Sequence, residues 1–497
     1  MLNQANKKKV VIAGGGTAGW IAAAAMSKQL ASSVDIILVE SEQISTIGVG
    51  EATIPPMRTF HKLLGINEQD FMRATSSTFK LGISFENWGN INEQYIHSFG
   101  ITGKSSYLAE FVHFWLHGKK QGQQAEYGDY CVELQAAKMG KFATSDKSKI
   151  NYAYHIEASR YASFLRAFSE ARQVKRVEGK ITKVILRNDG SGFISALQLD
   201  DGQLIEGDLF IDCTGFRGLL IEQTLNTGYE DWSHWLPCDS ALAIQTTAIR
   251  PPLPYTQSIA HDSGWQWRIP LQHRVGNGIV YCSKYLTDAA AHQRLLDNVE
   301  GETLTDPLQI KFRTGKRRKH WNKNCVALGL ASGFVEPLES TSIHLVMTGI
   351  IRLMKLFPYE EVNETLSDEY NRETSEELEK IRDFIILHYK VTQREDSEFW
   401  RYCKNMEIPD SLKQRIELFK HNAYTYQEPN ELFRVDSWTQ VMLGQGIIPE
   451  SYHHIVKTMG DKELTQFLTS MREGMKSIAS SLPMHQDFIE RYCKAAE

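Results

Sequence analysis

The run VVIAGGGTAG, residues 10–19, constrains the fold more tightly than any other stretch of the chain. Val10 to Ala13 is a short apolar run of the kind that forms a buried strand. Gly14-x-Gly16-x-x-Gly19 follows at once, then an alanine-rich helix from Trp20 to Leu30. A second apolar strand, Val34 to Val39, ends at Glu40. Strand, glycine turn, helix and strand in that order make a βαβ unit of a parallel sheet, and the spacing is the fingerprint of a dinucleotide-binding fold. Gly14 permits the tight turn, Gly16 lets the backbone approach a pyrophosphate, and Gly19 lets the helix pack closely on the strand. The helix N-terminus offers unpaired N–H groups and a positive dipole end to the phosphates. Glu40, 21 residues beyond Gly19, can accept hydrogen bonds from an adenosine ribose. Ser41 stands where an NADP enzyme often carries an arginine, which disfavours a 2′-phosphate.

The 497 residues suffice for a large core and two or three structural units. A net charge of −5 gives no electrostatic footprint for nucleic acid. No apolar run approaches a membrane span, and the N-terminal one stops at the glycines, too short for a signal-peptide core. The seven cysteines are odd in number and scattered, with no CxxC pair, so neither a disulfide framework nor a metal site is indicated. A reducing cytoplasm fits them best. The basic cluster Lys316 to His320 reads as a solvated turn before a strand.

Further along, Lys180 to Leu186, Ile194 to Leu199 and Gln203 to Glu206 read as an antiparallel meander with Asn188-Asp-Gly190 and Asp200-Asp-Gly202 turns. Asp208 to Cys213 is another buried strand, with Asp212 near its end. Asn324 to Leu328 repeats the pattern and runs into Gly329. From Ser342 the chain becomes helical, and Glu360 to Ile386 is one long amphipathic stretch. The expected fold class is α/β, with a Rossmann-like nucleotide module, an antiparallel insertion and a helical C-terminal region. The expected division is 1–350 for the module with its inserted sheet and 351–497 for the helices packed on it. One stretch stands out: Thr78 to Phe85, TFKLGISF, reads as a buried strand, yet Lys80 sits inside it with no acid closer than Glu86. The bland reading is a lysine whose stem packs and whose head snorkels to water.

An N-terminal dinucleotide unit, a distal strand ending in Asp212-Cys-Thr-Gly215 and a late glycine strand end together resemble the FAD-binding module of flavoprotein monooxygenases. In those enzymes the late strand usually ends Gly-Asp; here it is Gly329-Leu330. The departure points to the flavin-dependent tryptophan halogenases, and the resemblance covers nearly the whole chain. It is carried by Gly14 to Trp20, by Gly48-Val-Gly-Glu-Ala-Thr-Ile-Pro55, and by Trp265-Gln-Trp-Arg-Ile-Pro270, the WxWxIP signature. Phe334-Val-Glu-Pro-Leu-Glu-Ser-Thr341, Ile381 to Tyr389 and Ser437 to Met442 complete it.

The resemblance implies a Rossmann-like fold of the flavoprotein monooxygenase type and a bound FAD supplied in reduced form. Thr17, Ala18, Ala52, Thr53, Asp212, Gly329, Pro337, Leu338 and Ile343 join the fingerprint residues as cofactor-binding positions. With O2, reduced FAD oxidises chloride or bromide to hypohalous acid, which travels through an internal tunnel to the lysine at position 80. The lysine then holds the acid by a hydrogen bond or forms a haloamine with it. Glu339 is the expected partner of the Lys80 ammonium, with Ser340 as its hydrogen-bonding, substrate-side neighbour. A carboxylate there stabilises the cation formed when an aromatic ring is attacked, and takes the leaving proton. The backbone N–H groups of Thr341 and Ser342 match the halide site. Trp265 and Trp267 match the barrier between flavin and substrate, and His97 and Phe99 match positions flanking the substrate ring. For His97 and Phe99 an exposed turn after a strand is the competing reading.

Two departures bear on substrate and halide. Ser342 stands where better-known relatives have glycine, and the paired tyrosines followed by glutamates that grip free tryptophan are absent between Glu428 and Glu450. Tyr424 and Tyr426 are the nearest candidates, spaced rather than paired. The leading reading is an FADH2-dependent halogenase of an electron-rich ring, most simply an indole, fed by a separate flavin reductase because only one dinucleotide fingerprint is present. No nucleic-acid or membrane partner is expected, and the sequence leaves the oligomeric state open, a homodimer being one option. An oxygen-inserting flavin monooxygenase shares the fingerprint but gives no reason for WxWxIP. A non-catalytic flavoprotein gives no reason for Lys80 together with Glu339.

Overall fold

The computed structural model of the protein describes residues 7–43, 50–145 and 150–496. Lys8–Ala13, Thr17–Gln29 and Val34–Glu40 form the strand, helix and strand of the glycine fingerprint. The two strands run parallel, Val10 beside Ile36 and Ala13 beside Val39. They lie within a six-stranded sheet in the order Trp321–Asn322, Cys325–Ala327, Leu209–Asp212, Lys8–Ala13, Val34–Glu40, Lys175–Glu178. Every pairing is parallel except that of the short edge strand Trp321–Asn322. Strands covered on both faces explain the unbroken apolar runs at Val10–Ala13 and Leu209–Ile211, all buried. Ala22 to Ala25 are fully buried, and their small side chains let the helices Ala158–Glu170 and Ser342–Lys355 close on Thr17–Gln29.

The expected meander is present as Ile181–Leu186, Ile194–Leu199 and Leu204–Glu206. A larger, mostly antiparallel sheet of seven strands runs Leu308–Lys311, Ser240–Thr247, Arg274–Tyr281, Gly264–Pro270, Thr256–Ala260, Gly82–Glu86, Gln94–Ser98. Here the structure corrects one reading. TFKLGISF is not one strand: Thr78–Lys80 pairs with Ala153–Glu157 in a three-stranded sheet, and Gly82–Glu86 belongs to the seven-stranded one. The chain crosses between them at Leu81, whose N–H donates to the Pro254 carbonyl at 2.7 Å and whose carbonyl accepts from Phe99 at 2.9 Å. With both backbone groups of Leu81 bonded, the crossing leaves neither of them unpaired, which is why an apolar run can change sheets without a turn signal.

A second correction concerns the basic cluster. Lys316 and Arg317 are buried in the strand Gly315–Arg317, paired with Glu379 and Glu222, each at 2.7 Å. The helix Glu364–Lys390 places Phe384 in one core with Ile83, Trp88 and Trp265, while Tyr370, on the same helix, joins the core of Val10 and Ile12. Among the described residues no helix is long and apolar enough to cross a membrane.

Candidate active site

A cavity of about 450 Å³ opens between the parallel and the seven-stranded sheets. The nucleotide unit contributes Gly14, Gly16, Thr17, Ala18 and Glu40 to its wall, and the larger sheet contributes Trp265 and Trp267. Ala52, Gly329, Pro337, Leu338, Ser340, Ser342 and Ile343 also line it. Gly14 has φ +110°, and a Cβ there would fall 2.4 Å from the Cys213 carbonyl oxygen. A Cβ on Gly19 would fall 1.9 Å from the Gly14 carbonyl oxygen. Gly16 caps the helix with no side-chain hydrogen bond, and no acid stands in the first turn. The opening N–H groups therefore face the cavity without a competing side chain, as a pyrophosphate requires. These residues fit FAD.

Three expected cofactor residues are placed differently from one another. Glu40 lies on the cavity wall but is already paired with Arg176, with Arg166 at 3.5 Å, and accepts from the Trp20 indole at 3.3 Å. Asp212 is fully buried, and its carboxylate accepts the N–H groups of Thr214, Leu220 and Ile221, each at 2.9 Å, and the Thr214 hydroxyl at 2.7 Å. It shapes the loop whose Thr214 and Phe216 line the cavity. Thr53 turns its hydroxyl to the Tyr154 carbonyl at 2.9 Å and presents its own carbonyl to Lys80. Gly48 and Val49 lie outside the described residues.

Lys80 is fully buried. Its Nζ donates to Ser340 Oγ at 2.7 Å and to the Thr53 carbonyl at 3.1 Å, and lies 5.3 Å from the Phe99 ring centre. Burial lowers its pKa to about 7, against an opposing pull from Glu339. Ser340 holds a left-handed φ of +60°, a strained conformation for serine, and its hydroxyl connects the cavity wall to the ammonium.

The expected direct partner of Lys80 is therefore replaced. Glu339 is held by two imidazoles: His97 Nδ1 lies 2.9 and 3.0 Å from its two oxygens, and His388 Nε2 donates to Oε1 at 2.7 Å. It acts on the ammonium across space. Burial, then the charge of His97, hold the His388 pKa well below the usual range, so His388 is a neutral donor. His97 is buried in the strand Gln94–Ser98, not in an exposed turn, and Phe99 follows half-buried. His388 has no role in the sequence reading, although it lies within the matched run Ile381 to Tyr389; a lone histidine on a helix gives no signal without its partner.

Ser342 opens the helix Ser342–Lys355, with Thr341 as its cap and no acid in the first turn. Thr341 Oγ1 is buried without a partner, next to N–H groups suited to an anion. Trp265 and Trp267 share one strand face, ring centres 6.1 Å apart. A flavin cavity, a tryptophan wall, and a buried lysine joined to the cavity by one serine together define a flavin-dependent halogenase rather than an oxygen-inserting enzyme.

Comparison with known proteins agrees. The tryptophan halogenase family model matches residues 9–461, and the chain belongs to that family. It is similar to the solved structure of Xcc4156, a flavin-dependent halogenase from Xanthomonas campestris, at TM-score 0.97 and 54% identity over 99% of both chains. BrvH, a flavin-dependent halogenase from Brevundimonas sp. BAL3, matches at TM-score 0.94 and 41% identity over 98% of this chain and 99% of that one. The tryptophan 6-halogenase ThaL of Streptomyces albogriseolus is 37% identical over 83% of this chain and 82% of its own.

Proposed function

We propose that the protein oxidises halide with reduced FAD and O2 and delivers hypohalous acid through Lys80 to an electron-rich aromatic ring, an indole or simple indole derivative, with bromide preferred over chloride. The observation that carries this reading is the buried Lys80 ammonium, 2.7 Å from a serine on the cavity wall and facing a carboxylate clamped by two imidazoles. Bound FAD, reduced by a separate reductase, supplies with O2 the oxidising power. The N–H groups of Thr341 and Ser342 hold the halide. Lys80 polarises the halogen–oxygen bond and fixes where the electrophile sits. Glu339, held by His97 and His388, stabilises the ring cation and receives its proton.

Indole is favoured over tryptophan because the groups available to grip an amino acid are committed within the fold. Glu431 binds Arg415 at 2.6 Å, the Trp438 indole at 3.2 Å and its own loop at Glu428 N–H, 2.8 Å. Tyr426 lies 4.3 Å from that same Arg415, and Tyr424 is half exposed. With no grip on a side chain, attack follows the ring's own reactivity, at C3. The test is mass spectrometry of indole incubated with FAD, a flavin reductase, NADH and bromide. A bromine isotope doublet is expected, with the product matching authentic 3-bromoindole. A gain of one oxygen supports a hydroxylase instead, and saturable tryptophan binding with attack on the benzo ring overturns the substrate assignment.

A further inference from the structure

Behind the tryptophan wall lies a carboxyl group that the reaction does not use. Val335, Pro337 and Leu338 line the cavity, while Glu336 between them is fully buried. Its Oε2 accepts the Trp265 indole N–H at 2.9 Å and the Tyr389 hydroxyl at 2.5 Å. Its Oε1 has no partner. Burial pushes its pKa up to about 7, against the two hydrogen bonds. A buried carboxyl with one oxygen unpaired is a poor way to fill space, because an apolar side chain would avoid the desolvation cost. What it does supply is direction. An indole packed among other rings, here Trp88 and Trp267, has a definite orientation only when its N–H has a fixed acceptor.

The same helical turn grips both ends of the segment. His388 holds Glu339, and the next residue, Tyr389, holds Glu336, three positions earlier. We infer that Glu336 and Tyr389 are positioning residues that set the orientation of Trp265, and so decide how much hypohalous acid reaches substrate rather than escaping. The inference rests on the proposed halogenation and on Trp265 as part of the barrier. Neither residue lines the cavity that would hold the flavin, and they reach it only through Trp265, so FAD binding and flavin reoxidation should survive their substitution.

The experiment measures brominated indole formed per O2 consumed, with free hypohalous acid trapped by a β-diketone scavenger. Wild-type protein must first brominate indole; if it does not, the proposed function fails, whatever the variants do. Tyr389→Phe, which keeps the ring, is expected to bind FAD and reoxidise reduced flavin as wild type does. Product per O2 should fall about tenfold, the scale set by one hydrogen bond to a charged group, with trapped acid rising to match. Glu336→Leu should behave alike, and Glu336→Gln, whose amide oxygen still accepts both donors, should recover most of the coupling. Wild-type coupling in Tyr389→Phe overturns the inference. So does an equal loss in Glu336→Gln, or a loss that merely follows lost FAD, which would make the pair structural. If Glu336→Leu does not fold, Tyr389→Phe and Glu336→Gln decide alone.

Discussion

At Lys80 the fold keeps an amine where water does not reach, and the two groups that hold it are a serine and a carbonyl rather than an acid. A snorkelling lysine would extend to solvent, and Lys80→Met would then leave activity nearly intact. Capture of the electrophile predicts otherwise: the variant should bind FAD and reoxidise reduced flavin, while halogenated product falls by orders of magnitude. Glu339→Gln should cut the rate less, because its amide still accepts from the imidazoles but takes no proton. A Lys80→Met enzyme of near wild-type rate would sink the mechanism. The lowered pKa also has a stability signature. Between about 7 and the 10.5 of an ordinary lysine the unfolded chain holds the Lys80 proton and the folded chain does not. Wild type should therefore gain stability relative to Lys80→Met as pH rises through that window, and lose the gain as pH falls through 7. Parallel melting curves across pH 6 to 10 would contradict this. Lys80 stands out because a lone cation in an apolar run is odd in itself, but the residue alone reads as snorkelling, and its proposed role comes only from the resemblance. His388 and Glu336 stayed hidden because their meaning lies in partners distant along the chain.

Elements were legible where local chemistry alone dictates them. The glycine fingerprint needs only its own backbone, and the Asn-Asp-Gly and Asp-Asp-Gly turns set the meander. Thr78–Phe85 failed as one strand because its break depends on Pro254 and Phe99, which no local pattern announces. Lys316 and Arg317 failed as a solvated turn because their acids arrive from Glu379 and Glu222. The helix Ser342–Lys355 carries the element-scale prediction. Its first residue is on the cavity wall and is half-buried. Serine keeps the N–H that glycine would offer but narrows the backbone and adds a hydroxyl. Bromination should exceed chlorination at equal halide, and Ser342→Gly should shift that ratio measurably. An unchanged ratio would remove Ser342 from the account while leaving the preference standing.

Across the whole molecule, the proposed reaction centre belongs to no single part of the chain. Lys80 comes from a small sheet, His97 from the seven-stranded one, Glu339 from the turn before Ser342, and His388 from a helix beyond residue 351. The core is shared in the same way, with Ile83, Trp265, Phe384 and Trp438 in one buried cluster. Sequence could propose a boundary near 350 because helical periodicity begins close by, at Ser342, but that boundary falls inside the helix Ser342–Lys355, and periodicity says nothing about which surfaces the helices cover. A chain ending at residue 350 would lose Tyr389 and His388, one partner each of Glu336 and Glu339, and would uncover Trp88, Trp265 and Ile83, all now buried. An exposed apolar face of that size is an aggregation liability, not a folded surface. The fragment 1–350 is therefore expected to be insoluble, or to show native-like far-ultraviolet but collapsed near-ultraviolet circular dichroism, with FAD binding weakened or absent. The nucleotide cradle itself is intact in that fragment, so FAD affinity is the discriminating measurement. A soluble 1–350 chain that binds FAD as the full chain does would mean that the parallel sheet folds alone and that the helices serve only the substrate side.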